Sequence, residues 1–342
     1  MKAVVLGGGV AGVFIGYFLK RAGFEVVGIG GEVEYPLTSL VVTLSIPHES
    51  DIELAKRSLE IYREFVSVRE VLSIDILPRW VDLTPLSSIQ YEVVDSFEGV
   101  RTTPDEIIVV SKDYLVPVRK LVKSLRRELG FREDYGVLKL RDGKAYVVVK
   151  GRRVEGDIVV LAAGYRNSQL AEEAGLWLPL RPYECHAVLY IAPRRLWSLS
   201  IGDYVLGWYG RPATPPFYIA GNGCGNYGSG VPSGYVKKIT NLIKERVSFV
   251  YPLYVKSGRC EMGPHGGPVY GRHPDVENLY ILGGLDGYGS MLGPALAERL
   301  TSLITGVEIE DEYRIENFTQ RQFDPCTVAE RHDWGAYKLR NV

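Results

Sequence analysis

Three glycines, Gly7, Gly9 and Gly12, fall directly after the aliphatic run Ala3 to Leu6 and directly before an apolar helix-forming stretch, Val13 to Arg21. The spacing is GxGxxG, and it predicts a β-α-β unit closed by a second strand at Glu25 to Ile29. Glycine is needed at each position for a different reason. The first makes the turn tight, the second lets a pyrophosphate approach the backbone, and the third lets the helix pack on the strand. The helix start, with Val10 and Ala11 in its first turn, then offers free N–H groups and a partial positive charge to the phosphates. In such units an acidic residue at the end of the second strand usually takes the adenosine ribose hydroxyls. Here that register falls on Gly30, and Glu32 follows two residues later, within reach from a longer loop. No basic residue stands nearby in sequence to receive a 2′-phosphate, which disfavours NADP.

The remaining composition narrows the class. With 40 Lys and Arg against 41 Asp and Glu, the net charge of −1 gives no electrostatic reason to expect nucleic acid or an anionic membrane as partner. A small-molecule partner is expected. The 4 cysteines, Cys185, Cys224, Cys260 and Cys326, form no CxxC pair, so neither a zinc site nor a disulfide framework is signalled. A reducing, cytoplasmic location is expected, and no apolar run is long enough to span a membrane. Only 4 Gln and 7 Asn occur in 342 residues, a depletion typical of heat-adapted proteins.

Along the chain, DIELAKRSLEIYREF (51–65) and the stretch from Pro117 to Leu129 carry helical apolar periodicity. Gly136 to Val160 alternates short β-prone runs with Asp142-Gly143 and Gly151, the pattern of a meander ending in the buried strand DIVVLAAG. Leu180 to Tyr254 is rich in Tyr, Trp, Pro and Gly and predicts a separate, mostly antiparallel domain. The βα style returns at NLYILGG, followed by a helix up to Leu303. The expected class is therefore α/β, a Rossmann-like domain with a second, mainly antiparallel β domain.

Five stretches in this order resemble the D-amino-acid oxidase family of FAD-dependent amine oxidoreductases, which includes glycine oxidase, sarcosine oxidase and flavin subunits of proline dehydrogenases. They are GGGVAG; LAKRSLEIYREF; DIVVLAAGYRNSQL with LPLRP; GPVYGRHPDVENLYILGG; and DGYGSMLGPALAERL. The resemblance implies FAD bound in extended form, with segments 1–75, 108–180 and 259–323 forming the FAD-binding domain. Segments 76–107 and 181–258 would form the substrate domain over the flavin ring, and 324–342 a C-terminal tail. It implies cofactor contacts from Gly7, Gly9 and Gly12, from Thr38 and Ser39 in PLTSL, from Val137 on the adenine side, and from Ala163 and Gly164. Gly287, Tyr288, Gly289, Ser290 and Met291 would lie beside the ring, where backbone N–H groups before a helix face the pyrimidine edge. Many relatives carry histidine where this chain has Leu285; Asp286 is then the local ionisable group, expected in solvent.

The implied activity is oxidation of the amine of an amino acid (a D-amino acid, glycine or a proline-like compound) by hydride transfer to the flavin. A related dehydrogenation of a hydroxy acid or polyol, or a flavin-carrying subunit of a larger complex, stays open as the alternative. The acceptor would be oxygen or a quinone- or dye-type compound, and a homo-oligomer is left open. A substrate carboxylate calls for a fixed bidentate cation, and Arg259, in KSGRCEMGPHGGPVYG, is the candidate, with Arg272 and Arg211 next in line. Tyr218 and Tyr227, beside or within GNGCGNYGSG, are the pocket tyrosines to try first. Cys260 lies in the region where sarcosine oxidases attach flavin covalently, although non-covalent FAD is expected here. His265 and His273 lack partners at metal-ligand spacing, and His273 reads as structural.

Overall fold

The computed structural model of the chain describes residues 1–31, 40–222 and 230–318. The first third contains β1 (Lys2–Leu6), α1 (Val10–Arg21), β2 (Glu25–Ile29), β3 (Leu40–Val42), α2 (Glu49–Phe65), β4 (Arg69–Pro78), β5 (Glu92–Val94) and β6 (Glu106–Val116). Then come α3 (Val118–Glu128), β7 (Gly136–Arg141), β8 (Lys144–Val149), β9 (Arg152–Val154), β10 (Ile158–Leu161), α4 (Asn167–Glu172), β11 (Arg181–Ile191), β12 (Leu199–Asp203) and β13 (Trp208–Pro212). The last part holds β14 (Phe217–Gly221), α5 (Tyr235–Arg246), β15 (Tyr251–Met262), β16 (Val269–Arg272), β17 (Leu279–Gly283) and α6 (Gly289–Ile304).

A five-stranded sheet in the order β16-β17-β10-β1-β2 is parallel except for β16 at its edge. Its central strands are continuous apolar runs because both faces are covered. Ala3, Val5, Ile158 and Val160 pack with α1, α3 and α6, whereas Val4, Leu6, Val159 and Leu161 pack on the meander β7-β8-β9. The Asp142-Gly143 turn of that meander has both residues at positive φ, 51° and 74°, as a two-residue hairpin requires.

A nine-stranded sheet runs β15-β11-β14-β13-β12-β4-β6-β3, with β5 added on β6. Strand alternation divides its side chains sharply. Ile74, Ile76, Ile108, Val188, Tyr190, Ile201, Tyr218 and Ala220 form a core with Tyr235, Ile239 and Ile243 of α5. Residues of the opposite parity, such as Leu77, Ile107 and Val109, join the core of the first domain. Arg246 pins α5 to the sheet, with bonds of 2.8 Å to each carboxylate oxygen of Glu106 and 2.7 Å to Asp203, all of them buried.

Sheet membership departs from the segment boundaries expected from sequence. β3 and most of β4 fall within 1–75, and nearly all of β6 within 108–180, yet all three pair in the nine-stranded sheet. These strands carry no local mark of which sheet they join; pairing with β12, which begins at residue 199, decides it. The helix α5 lies inside a stretch expected to be antiparallel β. Among the described residues no helix is long and apolar enough to cross a membrane.

Candidate active site

The glycine turn is built without room for side chains. Gly7 has φ +139°, and a Cβ there would overlap the Ala162 carbonyl oxygen; one on Gly12 would overlap the Gly7 carbonyl oxygen. Ala162 and Ala163, just past β10, therefore stand against the turn, and the start of β7 before Val137 packs beside it, since a Cβ on Gly136 would lie 2.7 Å from Leu6 Cδ1. Helix α1 begins with Gly9 as its cap, without a capping side chain and without an acidic residue in its first turn. No side chain of the cap residue closes this helix start, the position at which a pyrophosphate would meet backbone N–H groups.

The missing acid at position 30 has a steric explanation. A Cβ on Gly30 would overlap the backbone of Gly8, so the strand end touches the turn too closely for any side chain. A cation occupies this corner. Arg126 reaches over from α3, donating to the carbonyl oxygens of Gly30 at 2.6 Å and Gly31 at 3.0 Å, and its buried Nε has no hydrogen-bond partner. The strand end itself carries no basic residue, as read from the sequence; this one comes from a distant helix. Nearby, the exposed ring of Tyr135 covers Gly31, and the Arg166 guanidinium stacks on it at 5.4 Å.

The second glycine loop meets the first. A Cβ on Gly293 of α6 would lie 3.3 Å from Val10 of α1, so the starts of the two helices converge. Ahead of α6 the backbone passes through positive φ at Gly284, Asp286 and Gly287, with Tyr288 as the cap and Gly289, Ser290 and Met291 in the first turn. The Asp286 N–H donates to Glu261, Leu285 bridges to Met262, and the Tyr62 hydroxyl donates to the Ser290 carbonyl at 2.7 Å. Asp286 is not in solvent as expected. It is 7% exposed, its Oδ1 has no partner, and burial pushes its carboxyl well above the usual range.

The nine-stranded sheet turns a polar face towards this loop. Register places Cys185 and Ala187 on the same side as Gly221, Tyr209, Arg211, Ser200, Ser73, Asp75, Ser111 and Asp113, the face opposite the α5 core. Tyr209 and Asp75 both lie within electrostatic reach of Tyr288. Burial pushes Arg211 down to about 10 and Asp113 up to about 6, and raises Asp75 well above its ordinary value.

A family model described as FAD dependent oxidoreductase matches residues 2–303. The chain belongs to this family. Among curated proteins none matches it by sequence. Among solved structures it is similar to L-proline dehydrogenase from P. horikoshii, with a TM-score of 0.77 at 17% identity, covering 95% of this chain and 96% of that one. It is also similar to iminodiacetate oxidase from Chelativorans sp. BNC1, with a TM-score of 0.75 at 18% identity, covering 92% and 98%. Glycine oxidase from Geobacillus kaustophilus gives 0.73 at 18%, covering 94% and 98%.

The site fits the FAD that this family uses. The bare turn and two uncapped helix starts suit a pyrophosphate and an electron-rich ring edge, and the unpartnered atoms of Arg126 and Asp286 lie at the two ends of this surface. Two sequence candidates are directed elsewhere. Tyr218 is fully buried in the core against α5, its ring packed over Gly210, on the face away from the flavin loop. Arg259 alternates with Cys260 and so points off the face that Cys260 shares; it is exposed and rests on Tyr165, 5.3 Å from the ring centroid. Arg272 is exposed on β16. Glu32, Thr38, Ser39 and Tyr227 lie outside the described residues. Sequence reasoning missed Arg126, although it follows Leu125 at the edge of the apolar stripe of α3, where a basic residue can turn inward.

Proposed function

We propose that this FAD-dependent oxidoreductase oxidises the amine of a small amino acid, and that Arg211 holds the substrate carboxylate. FAD supplies the two-electron acceptor for the hydride that leaves the carbon bearing the amine. The chain's own task is then positioning, because a neutral amine with an α-hydrogen needs correct orientation more than acid–base chemistry. The observation that carries the reading is the placement of Arg211 on β13, in the middle of the polar face and beside Tyr209. Sunk in low dielectric, its planar fork gains more from a carboxylate than an exposed arginine would. Asp286 and Tyr288 would face the substrate from the loop ahead of α6, with Tyr209 within electrostatic reach of Tyr288. Arg126 takes the adenosine side of the cofactor in place of the absent acid, as a donor to phosphate or ribose oxygens. The names of the structural neighbours, which include a proline dehydrogenase and a glycine oxidase, support an amino acid as substrate.

The test is an anaerobic flavin-bleaching screen over D- and L-amino acids, N-methyl amines, hydroxy acids and polyols, each acid compared with its methyl ester. Bleaching by an amino acid and not by its ester supports the reading. Bleaching by hydroxy acids alone, or equal response to the esters, overturns it. Oxygen uptake against dye reduction in the same samples then identifies the acceptor.

A further inference from the structure

Cys185 and Cys260 stand on the adjacent antiparallel strands β11 and β15. Cys185 lies opposite Gly258 and Cys260 opposite Tyr183, so the two cysteines are diagonal neighbours with side chains on one face. That face is the one carrying Tyr209 and Arg211. Because Gly258 has no side chain, Cys185 can lean across the ladder: its Sγ lies 3.5 Å from where a Cβ on Gly258 would be, and 2.7 Å from the Cys260 Sγ. Nothing separates the two sulfurs, and a disulfide of about 2.05 Å needs them to close by a fraction of an ångström. Both residues are only partly buried, so a small oxidant reaches them.

We propose that Cys185 and Cys260 are a reversible disulfide-forming pair, a two-electron thiol couple set in the substrate-facing wall and oxidised by a hydroperoxide. The Cys260 thiol, hydrogen-bonded to Cys185, holds the Cys185 thiol below its usual range; the same bond and burial hold Cys260 well above it. Cys185 is therefore the attacking thiolate and Cys260 the resolving thiol. The Cys185 sulfur takes the terminal oxygen of the peroxide as the O–O bond breaks, giving a sulfenic acid and an alcohol or water that carries off a proton. Cys260 then attacks that sulfur, the S–S bond forms, the S–O bond breaks, and water leaves with the Cys260 proton. In sum two thiols and one hydroperoxide give one disulfide, one alcohol or water, and one water. A dithiol reverses the reaction by exchange. Cys260 precedes by two residues Met262, which bridges to Leu285 in the flavin loop, so the bond would lock β15 onto β11 beside that loop. The pairing also gives Cys260 a partner other than the flavin. Among the described residues no group of three metal-binding side chains claims it either.

The test uses the full chain with its FAD, reduced with dithiothreitol, desalted anaerobically and titrated with hydrogen peroxide. Intact mass and alkylation under denaturing conditions should show loss of two hydrogens and two alkylatable thiols, with a Cys185–Cys260 linked peptide, all reversed by dithiothreitol. In Cys260→Ala the link should be lost and dimedone should trap a sulfenic acid at Cys185. A Cys224→Ser, Cys326→Ser double variant should keep the link. If Cys185 and Cys260 both stay alkylatable after peroxide, or if the linked peptide contains Cys224 or Cys326 in place of either, the pair is not the couple and the proposal fails.

Discussion

The guanidinium carbon of Arg126 stands 3.1 Å from the position that a Cβ would take on Gly8, in the turn between β1 and α1. Helix α3, the sixth labelled element after β2, thus brings a charge to a corner where β2 has no room for a side chain. Removing it should weaken FAD binding. A charge-assisted bond contributes about 1.5 to 3 kcal/mol, so Arg126→Ala should raise the FAD dissociation constant roughly 10- to 150-fold, read by quenching of flavin fluorescence. FMN, which lacks the adenosine half, should bind the variant and the parent alike. An unchanged FAD constant would refute the assignment.

Arg211→Ala should raise the apparent constant for the amino-acid substrate by a similar factor, about 10- to 150-fold, with FAD content unchanged. Arg211→Lys should recover only part, since a single ammonium does not reproduce the planar fork. Arg259→Ala, by contrast, should leave the kinetics near those of the parent, because that side chain lies on Tyr165 at the surface. The decisive measurement is the rate of flavin reduction against substrate concentration for the three variants. A defect in Arg259→Ala as large as in Arg211→Ala would reverse the two roles.

Asp113 gives the fold a pH dependence of definite sign. Its carboxyl is fully buried and pushed up to about 6 by burial, among the hydroxyls of Ser200, Thr43 and Ser73 and with Asp75 alongside. The folded state therefore keeps a proton that the unfolded chain releases near pH 3.8. Stability from this group is full below that value and is lost as pH rises through about 6, by roughly 3 kcal/mol in all. Asp113→Asn should flatten the fall in melting temperature between about pH 3 and 7 (about one unit beyond each end of the titration). A fall as steep as that of the parent would place the titrating group elsewhere.

Arg246 should be the costliest single truncation in the second domain. Its side chain is 5% exposed and paired with Glu106 and Asp203, themselves 6% and 0% exposed. Arg246→Ala leaves two buried carboxylates without their cation, at a cost of about 3 to 5 kcal/mol. Urea denaturation should show the loss, and a change under about 1 kcal/mol would mean that water replaces the guanidinium.

The parts of the site that could be read from the sequence are those made of consecutive residues. Gly7, Gly9 and Gly12, and the loop from Gly287 to Met291, announce themselves because their chemistry depends on local backbone. What could not be read depends on register. A shift of one residue along β15 exchanges the faces of Arg259 and Cys260, and nothing local fixes it; the pairing of Tyr183 with Cys260 does. Tyr218 is decided in the same way, by alternation with Ile219 on β14. The glycine at position 30 read as a lost contact, whereas its cause is the approach of Gly8, and the cation at that corner, Arg126, is 96 residues away in sequence. Asp286 looked like a solvated loop acid because its burial comes from the packing of β15 and α6 around it.

The five-stranded sheet is threaded through nearly the whole sequence. Ala3 pairs with Ile158, Val159 pairs with Leu279, and the helix that meets the glycine turn begins at Gly289. Such non-local pairing is slow to form, since long loops must close before any contact rewards them. During synthesis β1 and its glycine turn leave the ribosome before β10, which pairs with β1, and long before α6, which meets the turn. A nascent chain that stops before Gly289 therefore lacks the helix that meets the glycine turn. Until Ile158–Leu161 emerges, Val4, Val5 and Leu6 lack the strand that pairs with them on that side, which leaves this first segment open to wrong partners and to chaperones.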